Sequence, residues 1–435
     1  MPETLPQHDP LISAGARTPF AKVGAALQSV AAHELMRIAL QEALERAEIR
    51  PADVDEVIVG NVAQPAEAAN LARVASLLAG IPRQVPAFTV NRNCASALQA
   101  IADGALRIRS GRARVVLVGG TESMSRIPLM FSDAAKDAFF RLMRAHTLAQ
   151  RLQSMAAFRV RHFRPIVALE VGLTDITCGL NMGETAENLA REFGIARDAQ
   201  DRFALESHQR AAAAWREGRL AEEVTPVPLA PDYRELVERD VGLREEQTLQ
   251  ALGKLRPYFD RKHGTVTVGN SCPVTDGAAA LVLVSAARAR ELGVPILGRI
   301  RSWAFAGLDP ARMGLGPVFA TARALDEAGA RLSDMDLVEI NEAFAVQVLA
   351  CLTAFESQDF ARRELDRDAA LGAIDPAMLN VNGGAIALGH PVGATGARLV
   401  LTLLLEMARR DAGLGLATLC IGGGQGGAMV LERTA

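Results

Sequence analysis

Apolar residues over 35–48 recur at helical spacing, and the β-branched run that follows over 54–59 ends at Gly60. The pattern keeps alternating. It predicts a helix over 70–79 that stops before Ile81-Pro82, then a strand over 85–90. A helix over 95–108 and a buried strand over 115–118, running into Gly119-Gly120, complete the series. Strands interleaved with helices of this length predict a parallel α/β sheet covered on both faces. The same alternation returns late in the chain, with apolar helices over 346–352 and 398–407 and a strand over 416–419.

The return is also a repeat in sequence. ALERAEIRPADVDEVIVGNV, from Ala43, aligns without a gap to ALDEAGARLSDMDLVEINEA, from Ala324. Identical pairs include Ala43/Ala324, Leu44/Leu325, Ala47/Ala328, Arg50/Arg331, Asp53/Asp334 and Asp55/Asp336. Farther on, RVVLVGG from Arg114 parallels LATLCIGG from Leu416. A duplicated α/β unit accounts for both matches. It divides the chain into a first half (1–124 with 274–295), an inserted region (125–273) and a second half (296–435).

Within the insertion, residues 136–164 carry seven basic side chains and one acid, Asp137, interleaved with Phe139, Phe140, Leu142, Met143, Leu148, Leu152, Met155, Phe158 and Phe163. This composition fits a helical cap over a site, a partner-docking surface or contact with a membrane surface. Residues 226–246, rich in proline and charge, read as exposed loop.

Composition narrows the field. A chain of 435 residues that is 49% apolar can bury two or three cores and is not disordered. A net charge of −3 argues against nucleic-acid binding by phosphate neutralisation. The five cysteines (94, 178, 272, 351, 420) lack CxxC spacing, which favours free thiols in a reducing compartment over disulfides or a zinc site. Residues 1–10 show no export or transit pattern, and the apolar stretch over 399–405 stops at Glu406, so a cytoplasmic location is expected.

Four residues could carry chemistry. Cys94 follows a predicted strand and opens a predicted helix, where free amides and the helix dipole lower a thiol pKa; the alternative is a small buried apolar residue. His390 is framed by Gly389 and Pro391, and an imidazole there can accept a thiol proton and then donate to an oxyanion. Cys420 ends a strand and enters Gly422-Gly423-Gly424, where a second thiol can shuttle protons and glycine amides can face an acyl oxygen. Asn341 ends the strand of the second repeat, where functional side chains of parallel sheets gather. Cys351 reads as core. His8, His33, His146, His162, His208 and His263 read as surface. Two thiols, an imidazole and exposed amides suffice to move an acyl group between sulfurs.

Arg17-Thr18-Pro19-Phe20, the Cys94 turn, residues 181–188, the turn over 270–277, Asn341-Glu342-Ala343-Phe344, Gly389-His390-Pro391 and the Cys420 glycine run occur in thiolase order. Together they resemble the thiolase family over residues 17–427. The insertion is similar to that of the trifunctional-complex β-subunit (FadI-like) group, although that group often carries His-Glu-Ala-Phe where this chain has Asn341-Glu342-Ala343-Phe344. The resemblance implies two βαβαβαββ-type halves in an αβαβα layered sandwich with an inserted loop domain. It implies an acetyl-CoA C-acyltransferase of fatty-acid β-oxidation, cleaving 3-ketoacyl-CoA through a Cys94 acyl-enzyme. His390 would activate Cys94, Cys420 would serve as acid/base, and a water on Asn341 would steady an enolate. The amides of Cys94 and Gly422 would form the oxyanion hole.

Substrate or coenzyme A contacts implied in the same way are Met182, Phe259, Cys272, Ala343 and Phe344, with Cys272 standing where relatives usually carry Ser or Thr. Coenzyme A enters as substrate, and no cofactor or metal is expected. The expected assembly is a homodimer or tetramer, with a hydratase/dehydrogenase α subunit or a membrane surface meeting 136–164. The alternatives are a biosynthetic acetoacetyl-CoA thiolase, a ketoacyl synthase (against which Cys420 speaks) and a non-catalytic lipid carrier or scaffold.

Overall fold

The computed structural model describes residues 5–434; residues 1–4 of the segment read as lacking a leader fall outside them. The first half runs β1 (Pro10–Arg17), α1 (Ala32–Arg46), β2 (Glu56–Gly60), α2 (Leu71–Leu78), β3 (Ala87–Val90), α3 (Ser96–Arg109) and β4 (Val115–Glu122). The chain then departs through α4 (Asp133–Met143), α5 (Leu148–Ala156), α6 (Met182–Glu192) and α7 (Arg197–Arg216), and returns as β5 (Thr275–Ser285). The second half follows as β6 (Gly298–Gly307), α8 (Gly316–Ala328), β7 (Leu337–Ile340), α9 (Ala345–Glu356), α10 (Thr395–Arg410), β8 (Leu414–Ile421) and β9 (Gln425–Glu432).

These strands form a ten-stranded sheet in the order β7-β8-β9-β6-β1-β5-β4-β2-β3, with the short strand Ala21–Lys22 added to β5. The sheet is mixed rather than parallel throughout, a correction to the sequence reading. β2 runs parallel to β3 and β4, and β7 parallel to β8, while β5, β1, β6 and β9 are antiparallel to their neighbours. The reason is local at one end. Ile421 pairs with Gln425, so β8 and β9 form a hairpin around Gly422-Gly423-Gly424, in which Gly423 and Gly424 hold positive φ.

Alternation along each strand creates the layers. Val115 and Leu117 join α1 and α2 in an outer cluster, while Val116 and Val118 face the other way. There they meet α3, α10 and residues of the second half's strands, including Ala417, Leu419 and Met429. Leu416 and Val338 turn outward to α8 and α9. Helices α3 and α10 therefore form a central layer between two sheet regions, with helices on both outer faces. The repeat is reproduced in three dimensions. Helix, 3₁₀ turn and strand recur as α1, Pro51–Asp53 and β2, and again as α8, Leu332–Asp334 and β7.

One loop expectation fails. Asp240, within the stretch expected to be exposed, is buried and receives Arg17 Nη1 at 2.6 Å and Nη2 at 2.8 Å. Glu223 takes Arg17 Nε at 2.6 Å, and Trp215 Nε1 also donates to Asp240. A fully buried guanidinium must be matched by charge and hydrogen bonds, and this pairing fixes the loop to the end of β1. His162 and His208 are likewise buried rather than surface. Replacing one acid should leave the cation stranded: Asp240→Ala should lower unfolding free energy by about 3–5 kcal/mol in urea titration. A loss below about 1 kcal/mol would mean that water or Glu223 takes over.

Candidate active site

Cys94 lies on the wall of a cavity of about 740 Å³. The cavity is bounded by the loop after β2 (62–67), the segment leaving β4 (122–128), the insertion stretch 168–177, and Met182, Val392, Gly422 and Gly423. No residue of 136–164 lines it, so the wall the insertion supplies is the stretch that follows the basic segment.

The Cys94 turn is built from side-chain bonds. Asn91 Oδ1 receives Asn93 N at 2.9 Å, and Asn93 O accepts from Ser96 N and Ser96 Oγ at 3.0 and 2.7 Å. Asn93 holds φ at 45°, a left-handed conformation that asparagine tolerates better than most residues but that still costs on the order of 1–3 kcal/mol. The Gly422 amide is near enough to the Cys94 thiol to favour its charged form. Burial nonetheless outweighs that amide and Cys94's own, and the thiol is raised, contrary to the lowering expected of a helix start. The helix begins two residues later, at Ser96, and the carboxylate of Glu122 opposes the thiolate.

His390 is buried, and its Nδ1 lies 2.6 Å from Thr395 Oγ1, which in turn donates to Pro391 O at 3.1 Å. One hydroxyl proton cannot serve both contacts, so both are met only when Nδ1 carries the hydrogen and Nε2 is bare. Nε2 is buried and unpartnered. Burial first, then the Arg398 charge, lowers the imidazole pKa to about 3. This is a neutral imidazole presenting a free lone pair.

Asn341 follows the last residue of β7, and both of its side-chain polar atoms are buried without partners. Two residues earlier, Glu339 receives Arg398 Nη1 at 3.0 Å, so this face of β7 looks onto α10, whose start follows His390. Glu342, next to Asn341, accepts from Ile386 N, Ser207 Oγ and Asn380 Nδ2, tying Asn341 to the loop that leads into His390. The His390 loop is tied to the Cys94 side as well. Glu122, on the cavity wall, accepts Gly393 N at 3.2 Å together with Val62 N, Ala63 N and Asn61 Nδ2, and burial lifts its carboxyl to about 7.

Cys420 is buried on β8 opposite Gly426 and packs in an apolar cluster with Ala343, Phe344, Met182 and Phe259. Phe259 and Phe344 meet edge to face at 6.0 Å. Cys272 donates its backbone N–H to Ala343 O at 3.0 Å, and burial with the nearby Cys94 pushes its thiol to about 12. Cys420 is raised by burial and by its proximity to Cys94. Three sulfurs thus share one neighbourhood. Of the five expected substrate contacts, Met182 lines the cavity and the other four do not; Phe259, Ala343 and Phe344 pack with Cys420, and Cys272 is bonded to Ala343. Cys351 is core, bonded to Gly314 O. Sequence reasoning missed Glu122 and Thr395. A glutamate at a strand end behind two glycines, and a threonine five residues after the histidine, were the available signals.

Residues 11–287 match the family model "Thiolase, N-terminal domain" and residues 294–433 match "Thiolase, C-terminal domain". The 3-ketoacyl-CoA thiolase of Yersinia enterocolitica is 43% identical over 97% of this chain and 96% of its own length. Human mitochondrial 3-ketoacyl-CoA thiolase in complex with CoA superposes with a TM-score of 0.84 at 38% identity, covering 99% of both chains. The acetyl-CoA acetyltransferase of Bacillus anthracis gives 0.85 at 37% identity, covering 98% of this chain and 99% of its own.

Two buried imidazoles predict acid sensitivity. His390 falls to about 3 and His208 to about 4 from an ordinary value of 6.5, both chiefly by burial. Between those values the unfolded chain binds more protons, so this stability is complete above about pH 6.5 and is lost as pH falls through the window. The imidazole contribution to the urea midpoint should fall between about pH 7 and 4.5, against the buried carboxyls of Glu122 and Glu339, raised to about 7 and 8, which gain stability over the same range. His208→Gln, which preserves an acceptor for Arg244 N, should flatten part of that slope. An unaltered slope in the variant would remove His208 from the account.

Proposed function

The chain belongs to the thiolase family of acyltransferases, and on that premise we propose that it uses coenzyme A to cleave 3-ketoacyl-CoA, giving acetyl-CoA and a shortened acyl-CoA. The observations that carry this reading are Cys94 on the cavity wall with Gly422 and, on a turn tied to that wall through Glu122, a buried imidazole whose Nε2 is bare. A thiol raised by burial needs a base at the moment of attack, and a neutral imidazole is one.

His390 takes the Cys94 proton as sulfur attacks the 3-keto carbon. The amides of Cys94 and Gly422 receive the oxyanion. The bond between C2 and C3 breaks, its electron pair passes to the acetyl-CoA enolate, and Cys420 protonates C2. A water on the unpartnered Asn341 carboxamide, together with His390, steadies the enolate oxygen. Incoming coenzyme A gives its proton to Cys420, and its sulfur attacks the thioester. Cys94 leaves and recovers its proton from His390. The residues, one water, the thioester substrate and the thiol of coenzyme A supply every group in this sequence. The mainly apolar cavity beyond Cys94 receives the acyl chain, while Met182, Phe259, Cys272, Ala343 and Phe344 flank the arm of coenzyme A.

Intact mass should show an acyl adduct on the wild-type protein matching each 3-ketoacyl-CoA supplied, across a series of increasing length. Cys94→Ser should show none while melting normally. Cys420→Ala should still acylate but turn over about 10²–10⁴-fold more slowly. Full thiolysis by Cys94→Ser would end this mechanism, and wild-type turnover by Cys420→Ala would make that thiol structural.

Within the family, the finer reading places this chain with the β subunits of trifunctional complexes in β-oxidation. Support comes from the insertion surface, where Met143, Leu148, Leu152, Met155 and Phe163 are exposed beside Arg141, Arg144 and Arg151. An apolar and basic face suits a hydratase/dehydrogenase subunit or an anionic membrane. A homo-oligomer is supported separately by β3, an edge strand flanked by exposed Leu77 and Leu78. Charge reversal at the three arginines should weaken partner pull-down or vesicle flotation while sedimentation still reports the homo-oligomer. No change in either binding assay would leave the face without an occupant.

A further inference from the structure

Two side chains cross from the turn before α3 to the glycine turn after β8, joining segments more than three hundred residues apart. Asn93 Nδ2 donates to Gly422 O at 2.8 Å, and Arg92 Nη1 donates to Gln425 Oε1 at 3.2 Å. Arg92 is itself held, with Nε on Gln99 Oε1 at 2.6 Å and its guanidinium 4.2 Å over the Phe305 ring of β6. Gly422 has no side chain to pin it, and Gly423 and Gly424 after it hold positive φ. Left to itself, such a turn would let the Gly422 amide swing. Its restraint comes from across the site: the carbonyl of Gly422 is fixed by the residue adjacent to Cys94, and Gly422 and Cys94 line the same cavity.

We propose that Asn93 and Arg92 are positioning residues, a latch that sets the distance between the Cys94 sulfur and the Gly422 amide, with the Asn93 carboxamide as the main tether. The left-handed backbone at Asn93 belongs to the same device. It turns the side chain toward Gly422 while its own N–H and C=O are occupied by Asn91 and Ser96. The latch rests on the proposed roles of Cys94 and Gly422 and adds to them the residues that hold the two in register. A hydrogen-bond donor stabilises a developing oxyanion only when it is aimed before charge forms, so loosening the tether should weaken the chemical step and leave substrate binding nearly intact.

Asn93→Gly keeps the backbone conformation and removes the carboxamide. Asn93→Asp keeps the size and the tolerance for positive φ, but sets an oxygen against Gly422 O. Rapid-quench mass spectrometry of Cys94 acylation, steady-state kcat and KM, and thermal melting would be read together. Asn93→Gly should acylate about 10- to 100-fold more slowly, with kcat falling by the same factor, KM within about twofold and a near-normal melting temperature. Asn93→Asp should be at least as slow. Adding Gln425→Ala, which removes the Arg92 contact across the turn, should lower the rate further.

Wild-type acylation by Asn93→Gly overturns the proposal, as does a loss that appears in KM or melting alone. Should the glycine variant fail to fold, Asn93→Asp carries the same test, and wild-type acylation there overturns the latch. A wild-type protein that forms no adduct on Cys94 would remove the reading beneath the latch; an adduct at equal rates in wild type and variant would remove only the latch.

Discussion

Two helices that each follow a chemistry-bearing turn meet at their first turns with almost nothing between them, and the rest of the site depends on that approach. A Cβ on Gly396 of α10 would stand 2.4 Å from Leu98 N of α3, and one on Gly120 would stand 1.9 Å from Gly393 O. Neither distance can hold a side chain, so glycine at both points is what lets the Cys94 turn and the His390 turn converge. Glu122 then fixes the approach by collecting amides from both sides. Layers built by alternation bring the helices into one slab; the missing side chains decide how near they come.

The same closeness sets the electrostatics. Burial raises the thiols of Cys94, Cys272 and Cys420 and lowers His390, so the resting site is a set of neutral groups. A preformed thiolate–imidazolium pair would be more nucleophilic at rest, but in this surrounding each charge would lose more solvation than the geometry returns. Proton transfer from sulfur to Nε2 belongs instead to the moment when charge moves onto substrate oxygen and meets the aimed amides. The Thr395 contact matters here because it holds the imidazole in the tautomer that can accept.

Much of this was legible in the chain. The helix and strand positions of the first half, the internal repeat and the Cys94, Asn341, His390 and Cys420 motifs are local patterns, and local patterns survive folding. What escaped depends on distant partners. Asp240 lies in a stretch as polar as any surface loop, and only Arg17 at the end of β1 makes it interior. His208 stands in a charged helix, yet packing lowers it to about 4. The thiol pKa of Cys94 was read from the helix start, a local effect, and was reversed by burial, a global one. The basic segment, for which a cap was one of three readings, stands outside the cavity because the stretch after it forms the wall.

The duplicated unit explains why one site carries the chemistry once rather than twice. The gapless repeat sets Gly60 against Asn341, and the alternation of faces agrees, since Val57 and Val59 turn outward in β2 as Val338 and Ile340 do in β7. In the first half a Cβ on Gly60 would strike Ser96 C at 2.4 Å, so strand end and helix start close on each other. In the second half the matching position bears a carboxamide, and that carboxamide is unpartnered. Strand pairing, and not the sequence parallel between the two glycine runs, sets Gly119 with Thr418 beside β2 and β7, and so Thr121 against Cys420. Thr121 spends its hydroxyl on Ala32 O, whereas Cys420 keeps a free thiol beside Cys94. At these two positions the first copy has no unpartnered polar atom and becomes a rigid seat for the nucleophile. The second leaves the equivalent groups unsatisfied, and buried groups without partners are the ones a substrate and its water can use.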